Sequence, residues 1–318
     1  MLFRHRSQKL MRNRRKKLPN QVSVSSSDEP DLPSLLELER FSQASLHQWL
    51  AAKKRLDLLH RALYFELEPL RQAREASLLD ALRSQTLPSY QFDNWSRIVD
   101  YRYSLDPLST AGSLKGDGGR FNIGADLSPG TFTPFPALYI AEDYETAFRE
   151  RFGRADKRKV RTFSAEELAL RVPGSFTQVR LNGNVEQVID VGDLDALRPF
   201  IDILRDFPVP RIVPQTARQL GLRQTSWLIR SASLLQRRLL HPNWRLMPAQ
   251  FDLPANSQIF ARLAVAAGLH GILYPSAKQS GTRCMALFIQ NWSNSRSFIE
   301  ISDAVPNGTR RRRVSGSN

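Results

Sequence analysis

The chain has 318 residues and is 41% hydrophobic, enough for a buried core and for one large domain with extensions or two ordinary ones. Its formal net charge of +15 sits mostly near the ends. Arg4, Arg6, Lys9, Arg12, Arg14, Arg15, Lys16 and Lys17 precede Pro19 with no acid among them, and Arg310, Arg311, Arg312 and Arg313 follow far downstream, so the body between them is close to neutral. A single cysteine, Cys284, excludes a disulfide framework and a thiolate metal cluster. His5, His47, His60, His241 and His270 show no ligand spacing, so no metal site is expected. No apolar run is long enough to span a bilayer, and no apolar segment of a secretory signal follows the basic start. A cytoplasmic protein without membrane contact is the expectation. An arginine-rich, acid-free start followed by serines also resembles a transit peptide.

Residues 1–33 read as a disordered tail, basic first and then rich in Ser, Asp and Pro. A helical extension over 34–88 follows. Leu46, Trp49, Leu50, Leu56, Leu59, Leu63, Leu67 and Leu70 recur largely at three- and four-residue spacing, and Pro69 is expected to kink or break the helix. The apolar stripe is read as a face packed on the main domain, with a partner-binding face as the alternative. Past Pro88 the period changes, and Trp95–Ser104 reads as a strand with Arg102 on the face opposite Tyr101 and Tyr103. Residues 136–141 read as another strand, and 142–152 as a helix with Glu150 in its last turn.

Ser164 and Glu167 have capping-box spacing. Residues 178–191 give a hairpin signal, with Asn182-Gly183 as the turn. Residues 193–204 and 220–240 read as helical. Asn256 or Ser257 can cap a helix that ends before Gly268, placed at the left-handed C′ position. Gly271–Tyr274 is a buried-type strand, 276–281 a polar loop and 285–290 a last strand. Hairpins dominate and no βαβ series repeats, so the class is α+β, with helices on largely antiparallel strands. The main domain covers 89–300, and 301–318 reads as a disordered basic tail. Either tail could touch nucleic acid, though a solvated end is the plainer reading.

The densest signal is Gly118-Gly119-Arg120-Phe121-Asn122. With Gly116 and Gly124 it concentrates glycine where backbone must take conformations closed to side chains. Arg120 can present a planar charged fork to a phosphate, and Asn122 can donate and accept at one edge. Alone this is a common turn. Taken with Tyr101-Arg102-Tyr103, with Tyr139-Ile140-Ala141-Glu142 running on to Glu150, and with Gly271-Ile272-Leu273-Tyr274-Pro275-Ser276-Ala277, it resembles the RES domain, named for its arginine, glutamate and serine. The resemblance runs from about Trp95 to Trp292.

That resemblance implies a fold similar to ADP-ribosyltransferase toxins and cleavage of NAD at the nicotinamide–ribose bond, by water or by phosphate. NAD is then substrate, and no cofactor is implied. It also implies Arg102, Glu150 and Ser276 as catalytic residues, Arg102, Tyr103, Arg120, Asn122 and Ser276 as contacts to NAD, and a small helix-turn-helix antitoxin that covers the site. The chain is longer than the compact toxins, and residues 205–256 match nothing in the pattern.

The chemistry asks for these residue types independently. Breaking the bond develops an oxocarbenium-like cation on the ribose, which a carboxylate such as Glu150 stabilises. The nicotinamide leaves neutral, so no strong general acid is needed. A pyrophosphate wants fork-shaped cations, which Arg102 and Arg120 supply. Ser276 has no His/Asp pair beside it in the pattern, and reads as a hydrogen-bonding positioner rather than a nucleophile. Two alternatives stay open. One is transfer of ADP-ribose to a protein or nucleic acid. Phe148 stands two positions before Glu150, where transferases that modify proteins often carry a second glutamate. The other is a non-catalytic nucleotide-binding protein.

Overall fold

The computed structural model describes residues 43–153, 175–221 and 228–316. The described elements belong to one compact unit, residues 47–318, apart from the first residues of the opening helix. The expected tail over 1–33 and the capping box at Ser164 and Glu167 lie outside the described residues.

Helix α1 spans Gln43–Ala73 and α2 spans Glu75–Arg83. Leu56, Leu59 and Ala62 are buried at helical spacing, and each fully buried large aliphatic side chain contributes roughly 1.5–3 kcal/mol. Pro69 does not end α1. The helix continues through it for one more turn and breaks at Arg74. The extension is tied to the domain by Arg262, which donates to Glu68 at 2.7 Å.

Strand β1 runs Leu87–Asp100, so Pro88 stands inside the strand's first turn of pleat rather than before it. The Trp95–Ser104 strand is corrected at its far end. Tyr101–Tyr103 form a single 3-10 turn, and Tyr101, Arg102 and Tyr103 are all exposed there, so the expected alternation of faces does not hold. After β2 (Gly118–Gly119), β3 (Asn122–Ile123), β4 (Leu138–Ala141) and α3 (Tyr144–Phe152), the chain enters β5, Phe176–Asp190.

The hairpin expected over 178–191 is absent. Asn182 and Gly183 lie in the middle of β5, where Gly183 pairs with Phe92 on β1 and with Ile299 on β8 (Phe298–Ile301). A methyl group at Gly183 would stand 2.5 Å from the Phe92 ring and 2.6 Å from the Phe298 carbonyl oxygen. The glycine therefore serves close approach between strands, not reversal. Opposite it, β1 takes up an irregularity at Asp93 and Asn94, with Asn94 at φ +56°.

Helices α4 (Leu194–Leu204), α5 (Ile212–Gln219), α6 (Ala232–Leu239), α7 (Leu246–Phe251) and α8 (Asn256–Ala266) follow. The expected helix over 220–240 is thus confined, among the described residues, to its second half. Asp193 caps α4 by accepting from Asp195 N at 2.9 Å. Gly268 has φ +80° after α8, as the C′ reading requires. Strands β6 (Gly271–Pro275), β7 (Arg283–Leu287), β8 and β9 (Arg313–Ser315) complete the sheet.

The sheet order is β1-β4-β7-β6-β5-β8-β9, and β1 also pairs with β5, so five strands close on themselves and β8-β9 extend from β5. Among the described strands only β5–β6 is parallel. Trp95, Leu138, Ile140, Leu181, Val185, Val188, Leu273, Met285, Leu287 and Trp292 form one buried cluster against this sheet. The α+β class with largely antiparallel strands is observed. The expectation of a loose tail after residue 300 is corrected: Ile299 pairs with Val314, and Gly316 N donates to Ser297 O at 2.9 Å. Alternating polar and apolar residues let Arg313-Val314-Ser315 add a strand despite the basic composition.

Candidate active site

Helix α3 sets the position of Glu150. Asp143 caps it, accepting from Thr146 N at 2.7 Å. Phe148 is buried against Ile98, Phe152 and Phe176, which fixes the rotation of the helix. Thr146 and Glu150, four residues apart, then share the face toward the loop between β6 and β7. Thr146 Oγ1 donates to Thr282 Oγ1 at 2.9 Å. One turn on, Glu150 Oε1 accepts from Ser276 Oγ at 2.6 Å and from Ala277 N at 3.1 Å.

Ser276 is held in turn by its own loop. Its Oγ accepts from Lys278 N at 3.1 Å and Gln279 N at 3.0 Å, and its N–H donates to Thr282 O at 2.9 Å. The hydroxyl proton is thereby directed at Glu150. Among the described residues nothing donates to Glu150 Oε2. The residue is half-buried, so one carboxylate oxygen is fixed and the other is available. The neighbouring acids have other tasks. Glu142 Oε2 accepts from Arg283 N at 2.8 Å, and Glu145 pairs with Arg149 at 2.6 Å.

Behind this pair lie Tyr274 and Cys284. Burial pushes the Tyr274 hydroxyl well above its usual range, and Cys284 and Glu150 push it further. Burial, then the Glu150 charge, also raises the Cys284 thiol, which stays protonated and is no nucleophile. The Arg120 charge opposes both shifts, so Arg120 is the buried cation of this cluster.

Arg120 is not presented on an open turn. It is 7% exposed, and Nη1 donates to Leu239 O at 3.2 Å and His241 O at 2.8 Å, at the C-terminal end of α6. Arg61 and Arg83 meet other helix ends in the same manner, donating to Phe251 O and Ala267 O. Asn122 is 0% exposed and its side chain is committed inside the protein. Oδ1 accepts from Gly119 N and the Tyr139 hydroxyl, both at 2.9 Å, while Nδ2 donates to Ser113 O at 2.7 Å and Phe135 O at 3.2 Å. Asn122 therefore braces the turn.

The turn's carbonyls are taken by Gln258, whose Nε2 donates to Asp117 O, Gly119 O and Asn122 O. Phe121 N donates to the Tyr139 hydroxyl at 2.9 Å. A methyl on Gly119 would collide with that hydroxyl and with Asn122 Oδ1, which accounts for glycine there.

Arg102 stands at the rim. Its side chain is 69% exposed, with Nη2 3.6 Å from Asp100 Oδ2 and the guanidinium 4.8 Å from the Tyr103 ring. Asp100 also holds Arg151 at 2.6 Å, which links Arg102 to the residue next to Glu150 without direct contact. The Tyr103 hydroxyl accepts from Lys115 Nζ, and that bond lowers its pKa. The arginine turn is itself stapled by Arg97. The Arg97 guanidinium is enclosed and donates to Pro107 O at 2.9 Å, Tyr139 O at 2.8 Å and Ser109 O at 3.2 Å. Burial pulls its pKa down to about 10, so it is still charged at neutral pH.

Glu150 and Ser276 are thus brought together, Arg102 and Tyr103 stand on an exposed turn linked to α3 through Asp100 and Arg151, and Arg120 and Asn122 are buried. Arg97, Tyr139, Tyr274 and Gln258 were missed by sequence reasoning. Tyr139 and Tyr274 stand within the quoted motifs, but Gln258 has no local signal at all. Among the described residues no group of three His, Cys, Asp or Glu side chains could hold a metal ion, and no helix is long and apolar enough to cross a membrane.

The model of the RES domain matches residues 94–303. A search of curated proteins finds no match. Among solved structures, one described as the crystal structure of the M. tuberculosis MbcT-MbcA toxin-antitoxin complex is similar at 14% identity with a TM-score of 0.39, covering 73% of this chain and 93% of that chain.

Proposed function

Because the chain belongs to the RES domain family, we propose that it cleaves NAD at the nicotinamide–ribose bond. The observation that carries this reading is the Glu150 carboxylate, fixed at Oε1 by Ser276 and Ala277 and available at Oε2. In the reaction the C–N bond breaks and its electron pair leaves with nicotinamide, neutralising the pyridinium. The ribose carbon becomes cationic, and Glu150 stabilises that charge and orients the acceptor. Water or phosphate then adds through oxygen, and its proton passes to solvent or to Glu150. Exposed Arg102 binds the pyrophosphate and Tyr103 packs on the substrate beside it. Arg120 contributes its charge from below, since its Nη1 protons are already engaged.

A role as a toxin held by a small helix-turn-helix antitoxin is part of the same proposal, as is a cytoplasmic location, where NAD is available. ADP-ribosyl transfer to a protein is the less supported reading. Phe148, two positions before Glu150, is buried in an apolar cluster, so no second carboxylate reaches the site from there. A purely nucleotide-holding role leaves the ordered Glu150–Ser276 contact without a purpose.

Incubation of the protein with NAD, with and without phosphate, followed by mass analysis, tests this. Free nicotinamide with ADP-ribose identifies water as acceptor, and a phosphorylated ADP-ribose identifies phosphate. ADP-ribose attached to a macromolecule would favour transfer, and no turnover would refute the catalytic reading.

A further inference from the structure

The run Arg310–Arg313 is docked beside the turn that carries Arg102. Arg310 N donates to Leu105 O at 2.8 Å. Arg311 makes a two-pronged pair with Asp106, Nε to Oδ1 at 3.0 Å and Nη2 to Oδ2 at 2.8 Å. Arg312 O accepts from Ile301 N at 2.9 Å, and Arg313 pairs with Glu300. Arg310 and Arg312 are exposed, and among the described residues their side chains have no acidic partner.

The resulting edge gathers Arg102, Lys115, Arg151, Arg310, Arg311 and Arg312; among the described residues Asp100 and Asp106 pair with Arg102, Arg151 and Arg311, while the nearby Glu300 and Asp303 are taken by Arg313 and Arg180. Two aromatic rings stand among these cations. Tyr101 is 63% exposed and Tyr103 is 37% exposed, with Leu105 at 46% beside them. Cations alone suit any anion. Cations interleaved with exposed rings suit a polymer that carries a phosphate and an unpaired base in each unit.

We propose that this edge binds single-stranded nucleic acid at the opening of the site. Phosphodiesters lie on Arg310 and Arg312, and a base stacks on Tyr101, the more exposed of the two rings, since the Tyr103 ring already carries Arg102 and Lys115. A duplex keeps its bases stacked on one another and cannot use that ring, and an acidic polypeptide offers it nothing. Binding itself goes beyond NAD cleavage. Only one consequence rests on that reading: Arg102 is shared with NAD, so strand and dinucleotide compete.

The test is fluorescence anisotropy of the full chain with a labelled oligothymidine of about 12 nucleotides. The double variant Arg310→Glu/Arg312→Glu should bind at least ~10-fold more weakly, with a salt dependence shallower by roughly 1.5 in log–log slope. Its NAD turnover and melting temperature should match the parent, because neither side chain has a partner to lose among the described residues. Tyr101→Ala should weaken binding about tenfold through lost stacking. Equal binding by parent and double variant would overturn the proposal and assign the affinity to the basic residues before Pro19. A duplex or polyglutamate bound as tightly as the strand would also overturn it, marking a general anion surface. Binding that NAD does not weaken would remove the shared edge. A chain without NAD turnover whose strand binding still depends on Arg310 and Arg312 would sink the catalytic reading and leave this one standing.

Discussion

The Glu150–Ser276 pair and the glycine turn lie in one site but use their polar groups in opposite ways. In the pair, one carboxylate oxygen takes two hydrogen bonds and the other takes none from the described residues. In the turn, Asn122, Tyr139 and Gln258 satisfy one another and the backbone around them. A site needs both. Charge stabilisation works only if the stabilising group does not have to reorganise, and that rigidity comes from neighbours whose bonding is closed. The turn is therefore support, and the proposed chemistry falls to the pair.

The sharpest break in this comparison is expected at Asn122. Asn122→Ala leaves Gly119 N, the Tyr139 hydroxyl, Ser113 O and Phe135 O without their partner, at a cost of about 3–4 kcal/mol in stability. Thermal unfolding should show a loss on the order of 10 °C. An unchanged melting temperature with a raised KM for NAD would instead make Asn122 a ligand contact and erase the distinction.

Glu150→Gln should do the converse, losing ~100-fold or more in kcat, about 2.7 kcal/mol, because a neutral amide stabilises the ribose cation poorly. Its melting temperature should stay close to the parent's. Near-normal turnover in the folded variant would move the catalytic carboxylate elsewhere.

Arg102→Lys keeps the charge and removes the fork, so NAD should bind about tenfold more weakly while nicotinamide, which has no phosphate, binds as before. Calorimetry with both ligands reads this. Equal weakening of the two would mean that Arg102 supports the pocket wall. The smallest effect is expected at Ser276→Ala. Removing one donor to Oε1 leaves Ala277 N in place, so kcat should fall about fivefold, near 1 kcal/mol. A loss as large as that of Glu150→Gln would give Ser276 a direct part in the reaction.

The pattern of the chain made the site partly legible. Glu150 in the last turn of a helix and Ser276 after a strand were read from local sequence, and the two meet. Tyr101 and Tyr103 suit a strand and place Arg102 on one, yet β1 ends at Asp100 and the turn leaves all three exposed. Residue type and the family resemblance point to Arg120 and Asn122 as ligand contacts. Nothing local says that α6 and α8 bring carbonyls and Gln258 against that turn, from more than a hundred residues downstream.

The sequence by itself determined the α+β class and the helix and loop that carry Glu150 and Ser276, because capping residues, glycine placement and periodicity act over a few residues; the family follows from the resemblance of its ordered motifs. Tertiary structure alone decided which polar groups remain available to a substrate. Asn182-Gly183 is a turn signal until β1 and β8 pair on both sides of it. Arg310–Arg313 is a tail signal until Asp106, Glu300 and the edge of β8 receive it. A side chain's hydrogen bonds depend on what the fold packs against it, and that partner is seldom its neighbour in the chain.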